Sequence, residues 1–128
     1  MRSRRVVLIA GSLLILGAAG FTLLRAATGS APKGYVLAEI TVTDPDAYKQ
    51  YAAAVAPTVA KFGGKYLVRG GQTVALEGDP PAGRVVVIEF DSLAAARAFE
   101  DSSDYRSVAE LRHKAARSRV FLVEGTAP

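Results

Sequence analysis

Residues 35 to 42, Tyr-Val-Leu-Ala-Glu-Ile-Thr-Val, run through Thr43 into the stretch Asp44-Pro45-Asp46-Ala47-Tyr48-Lys49-Gln50-Tyr51-Ala52-Ala53-Ala54-Val55. In the first stretch Val36, Ala38, Ile40 and Val42 alternate with Tyr35, Leu37, Glu39 and Thr41, a period of two that makes a strand with one wholly apolar face. In the second, Tyr48, Tyr51, Ala52 and Val55, continued by Val59 and Phe62, recur at steps of three and four, the stripe of a helix packed on one side. Asp44 is placed to cap the first-turn amides, Pro45 suits the first helical position, and Asp46 faces the positive end of the helix dipole. The unit is therefore a strand handing over to a helix. The same plan recurs where Arg84 to Phe90 leads into Ser92-Leu93-Ala94-Ala95-Ala96-Arg97-Ala98-Phe99.

Strand-like runs follow each helix, Lys65 to Arg69 after the first and Val120 to Val123 after the second. The order reads βαββαβ, the split βαβ of a ferredoxin-like α+β domain with a four-stranded antiparallel sheet. The apolar face of the opening strand is expected to meet the helices. Pro57 removes an amide and predicts a kink or interruption near Ala53 to Ala56. Gly63-Gly64 ends that helix. Thr73 to Leu76 reads as a short extension or hairpin arm, and Asp79-Pro80-Pro81-Ala82-Gly83 as a loop. Val85 to Ile88 is apolar on both faces, as a central strand requires. Ser92 caps a helix whose Leu93, Ala96 and Phe99 point inward. Ser102-Ser103 interrupts it, and a further segment, Asp104 to Ala116, sets Tyr105, Val108, Ala109 and Arg112 along one side.

Ahead of the domain, Val6 to Leu24 is 19 residues without a charge, preceded by Arg2, Arg4 and Arg5. At about 1.5 Å per residue such a helix spans roughly 28 Å, near the hydrocarbon thickness of a bilayer. Residues 1–33 are thus expected to be a signal peptide or membrane anchor plus a short tether, 34–125 the ferredoxin-like domain and 126–128 a tail. Ala27-Thr28-Gly29 offers small residues for cleavage; the length of the run favours retention. Ser3-Arg4-Arg5-Val6-Val7-Leu8 approaches a twin-arginine export signal, with Val7 where Phe is favoured and Ile9 where Lys follows; an ordinary basic n-region accounts for the same residues. Either way the arginines stay cytoplasmic and the domain is exported, periplasmic or extracytoplasmic.

The formal charge of +4 comes from 16 basic and 12 acidic residues, but five of the basic ones and no acid lie in residues 1–33. The remainder carries eleven basic against twelve acidic side chains and is nearly neutral. With no Trp and no basic run in the domain, nucleic acid is not an expected partner. The chain has no cysteine, so export imposes no disulfide chemistry.

Asp44-Pro45 with Tyr48 and Tyr51, Phe62-Gly63-Gly64-Lys65-Tyr66, Arg69-Gly70-Gly71, Glu89-Phe90 and Ser103-Asp104-Tyr105 together resemble the bacterial family known as domain of unknown function 1330, over about residues 35 to 125. The hydrophobic leader departs from that family's short soluble members. The resemblance implies a dimeric α/β barrel, in which two four-stranded sheets pack face to face with helices outside. Its wider superfamily includes small monooxygenases, isomerases and haem proteins, so the fold by itself names no activity. Physically, a sheet covered on one side would leave Leu37, Leu67, Val85, Val87, Val120 and Leu122 near water, an apolar patch that calls for a homodimer partner.

With strands one and three taken as parallel in the middle and strand two beside strand three, alternation puts Glu39 and Glu89 on the barrel-facing side, sharing that face with Arg69. Two carboxylates and a guanidinium converging in a poorly hydrated cleft would anchor a ligand or move a proton. The same residues also suit the polar rim of a dimer interface. His113, the only histidine, is the further candidate ligand-binding residue; between Arg112 and Lys114 on a helix surface, a solvated imidazole is the more ordinary outcome. A lone histidine without cysteines or closely spaced carboxylates argues against a dedicated transition-metal site and leaves haem ligation open; no cofactor is expected. Tyr48 and Tyr51 read as core filling, and Tyr66 points toward the helices with no role. The leading expectation is a domain binding a small, partly apolar ligand in the barrel cleft. The alternatives are a cofactor-independent oxygenase or isomerase using a Glu base, and a structural interaction module of the envelope.

Overall fold

A computed structural model describes residues 29–128. The leader, residues 6–24, and its fate lie outside the described residues. No helix among the described residues is long and apolar enough to cross a membrane.

The elements are β1 (Gly34–Val42), α1 (Pro45–Lys61), β2 (Lys65–Arg69), β3 (Arg84–Phe90), α2 (Leu93–Asp101), α3 (Ser103–Ala115) and β4 (Ala116–Glu124). They form one four-stranded sheet in the order β2-β3-β1-β4, the ferredoxin-like arrangement. The middle pair is not parallel as expected: β1 and β3 run antiparallel, Leu37 facing Val87 and Glu39 facing Val85. The chain climbs β1, returns through α1, climbs β2 and turns back into β3, so β3 must oppose β1.

All helices cover one face. Val36, Ala38, Ile40, Val86, Ile88 and Phe90 are buried against Tyr51, Val55 and Val59 of α1 and Phe99 and Tyr105 from α2 and α3. Phe99 is the centre, its ring 5.1 Å from Phe90, 5.9 Å from Phe62 and 4.4 Å from Tyr105. Burying a side chain of this size contributes about 1.5–3 kcal/mol. Asp44 caps α1 by accepting from the Ala47 amide, as its position predicted. Pro57 does not interrupt the helix: α1 runs through it to Lys61, with Pro57 on the exposed side. Ser102 serves two helices at once, donating to the Phe99 carbonyl at 2.7 Å and accepting from the Tyr105 amide at 3.1 Å.

The open face differs from its sequence reading on both edge strands. On β4, Leu37 faces Phe121 and Tyr35 faces Val123. Directly paired residues share a face, so Phe121 and Val123, 40% and 44% exposed, look outward, and Val120 and Leu122 pack against the helical core. On β2, Tyr66 pairs with Ile88 but Val68 pairs with Val87, leaving Leu67 as the extra residue of a β-bulge. From Val68 onward the alternation is inverted. The segment Gly71 to Gly83 carries no regular structure and is almost wholly exposed, with Val74 at 74% and Leu76 at 91%. Its two ends require glycine: at Gly70 (φ 72°) and Gly83 (φ 76°) a side chain would be strained, and a Cβ on Gly83 would lie 2.2 Å from the Ile40 carbonyl oxygen.

Candidate functional site

The four residues singled out from sequence do not converge. Glu39 and Glu89 are on the open face, as alternation predicted, but Glu39 faces Val85 while Glu89 faces Tyr35. They are four residues apart along the strands, about 13 Å at the rise of a β-strand. Each has its own partner. Glu39 is bound by Arg119 across the sheet, with Nη2 at 3.0 Å and Nε at 3.1 Å from its Oε2. Glu89 accepts from the Tyr35 hydroxyl at 3.3 Å and lies opposite Lys65. His113 is exposed on α3, its Nδ1 3.3 Å from Glu110.

Arg69 is on the other side of the sheet. The bulge at Leu67 pairs it with Val86, whose side chain is buried under the helices. Its guanidinium lies over the Tyr66 ring at 4.3 Å and donates to the Ala52 carbonyl of α1 at 3.0 Å. The expected trio of Glu39, Arg69 and Glu89 is therefore divided between two faces by one inserted residue.

On the helix side, Arg69 enters a different constellation. Arg84 from β3 lies over the Tyr48 ring at 5.4 Å and close above Gly70, where any Cβ would come within 2.5 Å of its Nη2. Tyr105 and Arg112 are seven residues apart on α3, two turns, and so share one face. Arg112 is only 6% exposed; it donates from Nη2 to the Tyr105 hydroxyl at 3.2 Å and from Nη1 to Ser118 Oγ, with the Tyr51 ring 5.8 Å from its guanidinium carbon. Glu100, in the last turn of α2, completes the ring. These residues line a cavity of ≈ 40 Å³ floored by Val36, Ala38, Val86 and Ile88. Ile40, Tyr48 and Arg84 also wall an open groove of ≈ 850 Å³ that continues along Pro45, Lys49 and Gly70 to Thr73. On the far side, Glu100 and Val120 also line a groove of ≈ 500 Å³ between α2 and β4.

The electrostatics are one-sided. Arg69, Arg84 and Arg112 form no salt bridge among the described residues. Among the described residues Glu100 is the only carboxylate on the cavity wall, and two buried atoms there have no hydrogen-bond partner, Glu100 Oε1 and Arg112 Nε. Burial raises the Glu100 carboxyl above its ordinary value, against the opposing pull of Arg112 and the Tyr105 hydroxyl. Burial likewise raises the phenols of Tyr51, Tyr66 and Tyr105, which stay protonated donors at neutral pH. Among the described residues no three His, Asp or Glu side chains group as a metal site. The sequence did not point to Arg84 or Glu100, and it gave Arg112 only as a member of a helix stripe. The one legible signal was the seven-residue spacing of Tyr105 and Arg112.

The model of the family described as domain of unknown function DUF1330 matches residues 33–126. No curated protein matches the chain. Among solved structures, a protein of unknown function from Rhodopseudomonas palustris aligns at 25% identity with a TM-score of 0.56, over 80% of this chain and 88% of that one. The methylated form of that protein aligns at 24% identity with a TM-score of 0.58, over 80% and 87%. SnoaB, a cofactor-independent oxygenase from Streptomyces nogalater, aligns at 16% identity with a TM-score of 0.47, over 76% and 96%.

Proposed function

We propose that this chain, which belongs to the DUF1330 family, is a homodimeric binding domain for a small, partly apolar anion held in the cleft between the helices and the sheet. The observation that carries this reading is three guanidiniums lining one cavity, none of them in a salt bridge among the described residues. Of the three only Arg112 is buried; the exposed Arg69 and Arg84 each offer a planar fork of donors that matches a carboxylate. A cavity of ≈ 40 Å³ has room for a polar head group and not for a whole metabolite. The body of the ligand would lie in the larger groove, against Ile40, Val42, Pro45 and Tyr48, under Arg84 and Lys49.

The test is calorimetric titration of the full chain with phenyl-substituted carboxylates, phenylpyruvate among them, and with the neutral amides of the same shape. Carboxylates are expected to bind and amides to fail, with Arg69→Gln and Arg84→Gln each weakening the carboxylates about tenfold or more, the loss of one charge-assisted contact. Equal binding of amides and carboxylates would contradict the reading.

The homodimer is supported by the open face of the sheet, where Leu37, Val85 and Val87 are flanked by exposed Val68, Phe121 and Val123. Its charges are already matched, Glu39 with Arg119 and Glu89 opposite Lys65, so two copies meet without net repulsion. We assign Glu39 and Glu89 to this interface, as residues that keep its polar groups satisfied. Export is supported by the three leading arginines and the 19 uncharged residues after them. Fractionation of cells with N-terminal sequencing of the product tests both compartment and retention of the leader; a full-length product in the cytosol would contradict export.

A further inference from the structure

We propose, resting on the anion-binding reading above, that Glu100 is a catalytic acid–base residue and that the cleft moves a proton on carboxylate substrates with a C–H bond next to a carbonyl. The pairing of orphaned atoms points there. Glu100 Oε1 is a buried acceptor without a donor, Arg112 Nε is a buried donor without an acceptor, and the two residues line one cavity of ≈ 40 Å³. Buried polar atoms left unpaired are uncommon and call for an explanation. A base set across from a fixed N–H is the pair that enolisation of a carbonyl compound needs, one group for the carbon-bound proton and the other for the oxygen on which charge develops.

Position supports the same role. Glu100 lines both the enclosed cavity and the open groove between α2 and β4, so its carboxyl is bounded by substrate on one side and has a route to water on the other. Burial outweighs the neighbouring Arg112 and Tyr105 and raises the carboxyl above its ordinary value, so it holds a proton more readily than a solvated carboxylate. Tyr105, anchored by accepting from Arg112 Nη2, sets a neutral hydroxyl beside the pair.

In the step itself the Glu100 carboxylate removes a proton from the carbon beside the carbonyl. The C–H electron pair becomes the new C=C bond, and the carbonyl π pair moves to oxygen, where Arg112 Nε–H donates to the enolate. The protonated Glu100 then returns its proton to carbon or, by way of the oxygen, leaves the enol. Atoms and electrons balance with no other reactant. The carboxylate of the substrate is held by Arg69 and Arg84, which line the same cavity.

The experiment follows the methylene protons of phenylpyruvate by NMR in D2O with the full chain, in parallel with its binding. Exchange of those protons for deuterium faster than in buffer is expected, and Glu100→Gln should lower the enzymatic part by on the order of 10²-fold while phenylpyruvate still binds. Exchange at the buffer rate by wild-type protein that binds phenylpyruvate overturns the proton-transfer inference and leaves the anion-binding reading standing. Equal acceleration by Glu100→Gln overturns the assignment of the base. Absence of binding overturns both, and since the wild-type measurement decides the matter alone, a poorly folded variant does not obscure it.

Discussion

Glu100 and Arg112 show what a few buried charges do to a small domain. The Glu100 carboxyl is shifted upward chiefly by burial, with Asp101 adding to the shift and Arg112 and Tyr105 opposing it. Its native form therefore holds a proton more tightly than the unfolded chain does. The corresponding stability is fully present below the ordinary value of 4.5 and is lost as pH rises through the higher native value. Urea unfolding at a series of pH values should show wild type losing ground to Glu100→Gln from about pH 4.5 upward; wild type gaining on the variant over that window would contradict the burial account. Arg69, by contrast, is exposed, and its stack on Tyr66 stabilises by about 0.5–1 kcal/mol at most. Arg69→Gln should therefore report on binding with little change in folding. Which side of the sheet Arg69 takes was not legible in its sequence. Lys65-Tyr66-Leu67-Val68-Arg69 has two apolar residues in succession at its middle, so nothing in the pattern marks Leu67 as the residue that falls out of the ladder.

Among the elements, legibility followed contrast. β1 alternates apolar with mixed residues and α1 carries an Asp-Pro start and a clear stripe, and both were found with their buried faces as expected. In β4 the run Val120-Phe121-Leu122-Val123 is apolar at every position. Parity was then a coin without markings, and only pairing with Leu37 and Tyr35 settles that Phe121 and Val123 face out. Pro57 was read as a kink or an interruption because its missing amide is a local cost; the interruption does not occur, since burial of Val55 and Val59 on either side of it holds the helix together. The convergence of β2, β3, α2 and α3 on one cavity is a property of the packed fold, which no spacing within a single element announces. Phe99 is where those elements meet, buried to 1% beneath three other rings. Phe99→Ala should cost about 3–5 kcal/mol in chemical denaturation. A loss under 1 kcal/mol would mean that the helices are held by something other than this aromatic junction.

Across the fold as a whole, one face of the sheet is covered and the other is not, among the described residues. Leu37, Val85, Val87, Val68, Phe121 and Val123 share that open face, flanked by the bulged Leu67, and a monomer would leave them in contact with water. Phe121→Asp places a charge at the middle of β4 on that face while leaving the helix-side core untouched. Light scattering after size exclusion should show the variant at half the mass of the wild-type species, with an unchanged circular dichroism spectrum. Two equal masses would show that the open face is not the association surface. The fold class and the apolar character of the open face were both legible from the strand pattern, since each depends on hydrophobic periodicity summed over many residues and tolerates an error of parity at one edge.

The double duty of Ser102 has a mechanical meaning. One hydroxyl closes α2 and opens α3, so the last turn bearing Glu100 and the first turn bearing Tyr105 are riveted at a single oxygen and cannot drift independently. Ser102→Ala should cost about 1 kcal/mol and, more tellingly, quicken amide hydrogen exchange on both sides of the joint together. A rivet of this kind lets a domain with few buried polar groups and no cysteine keep an acid and a phenol in fixed register without a disulfide to clamp them.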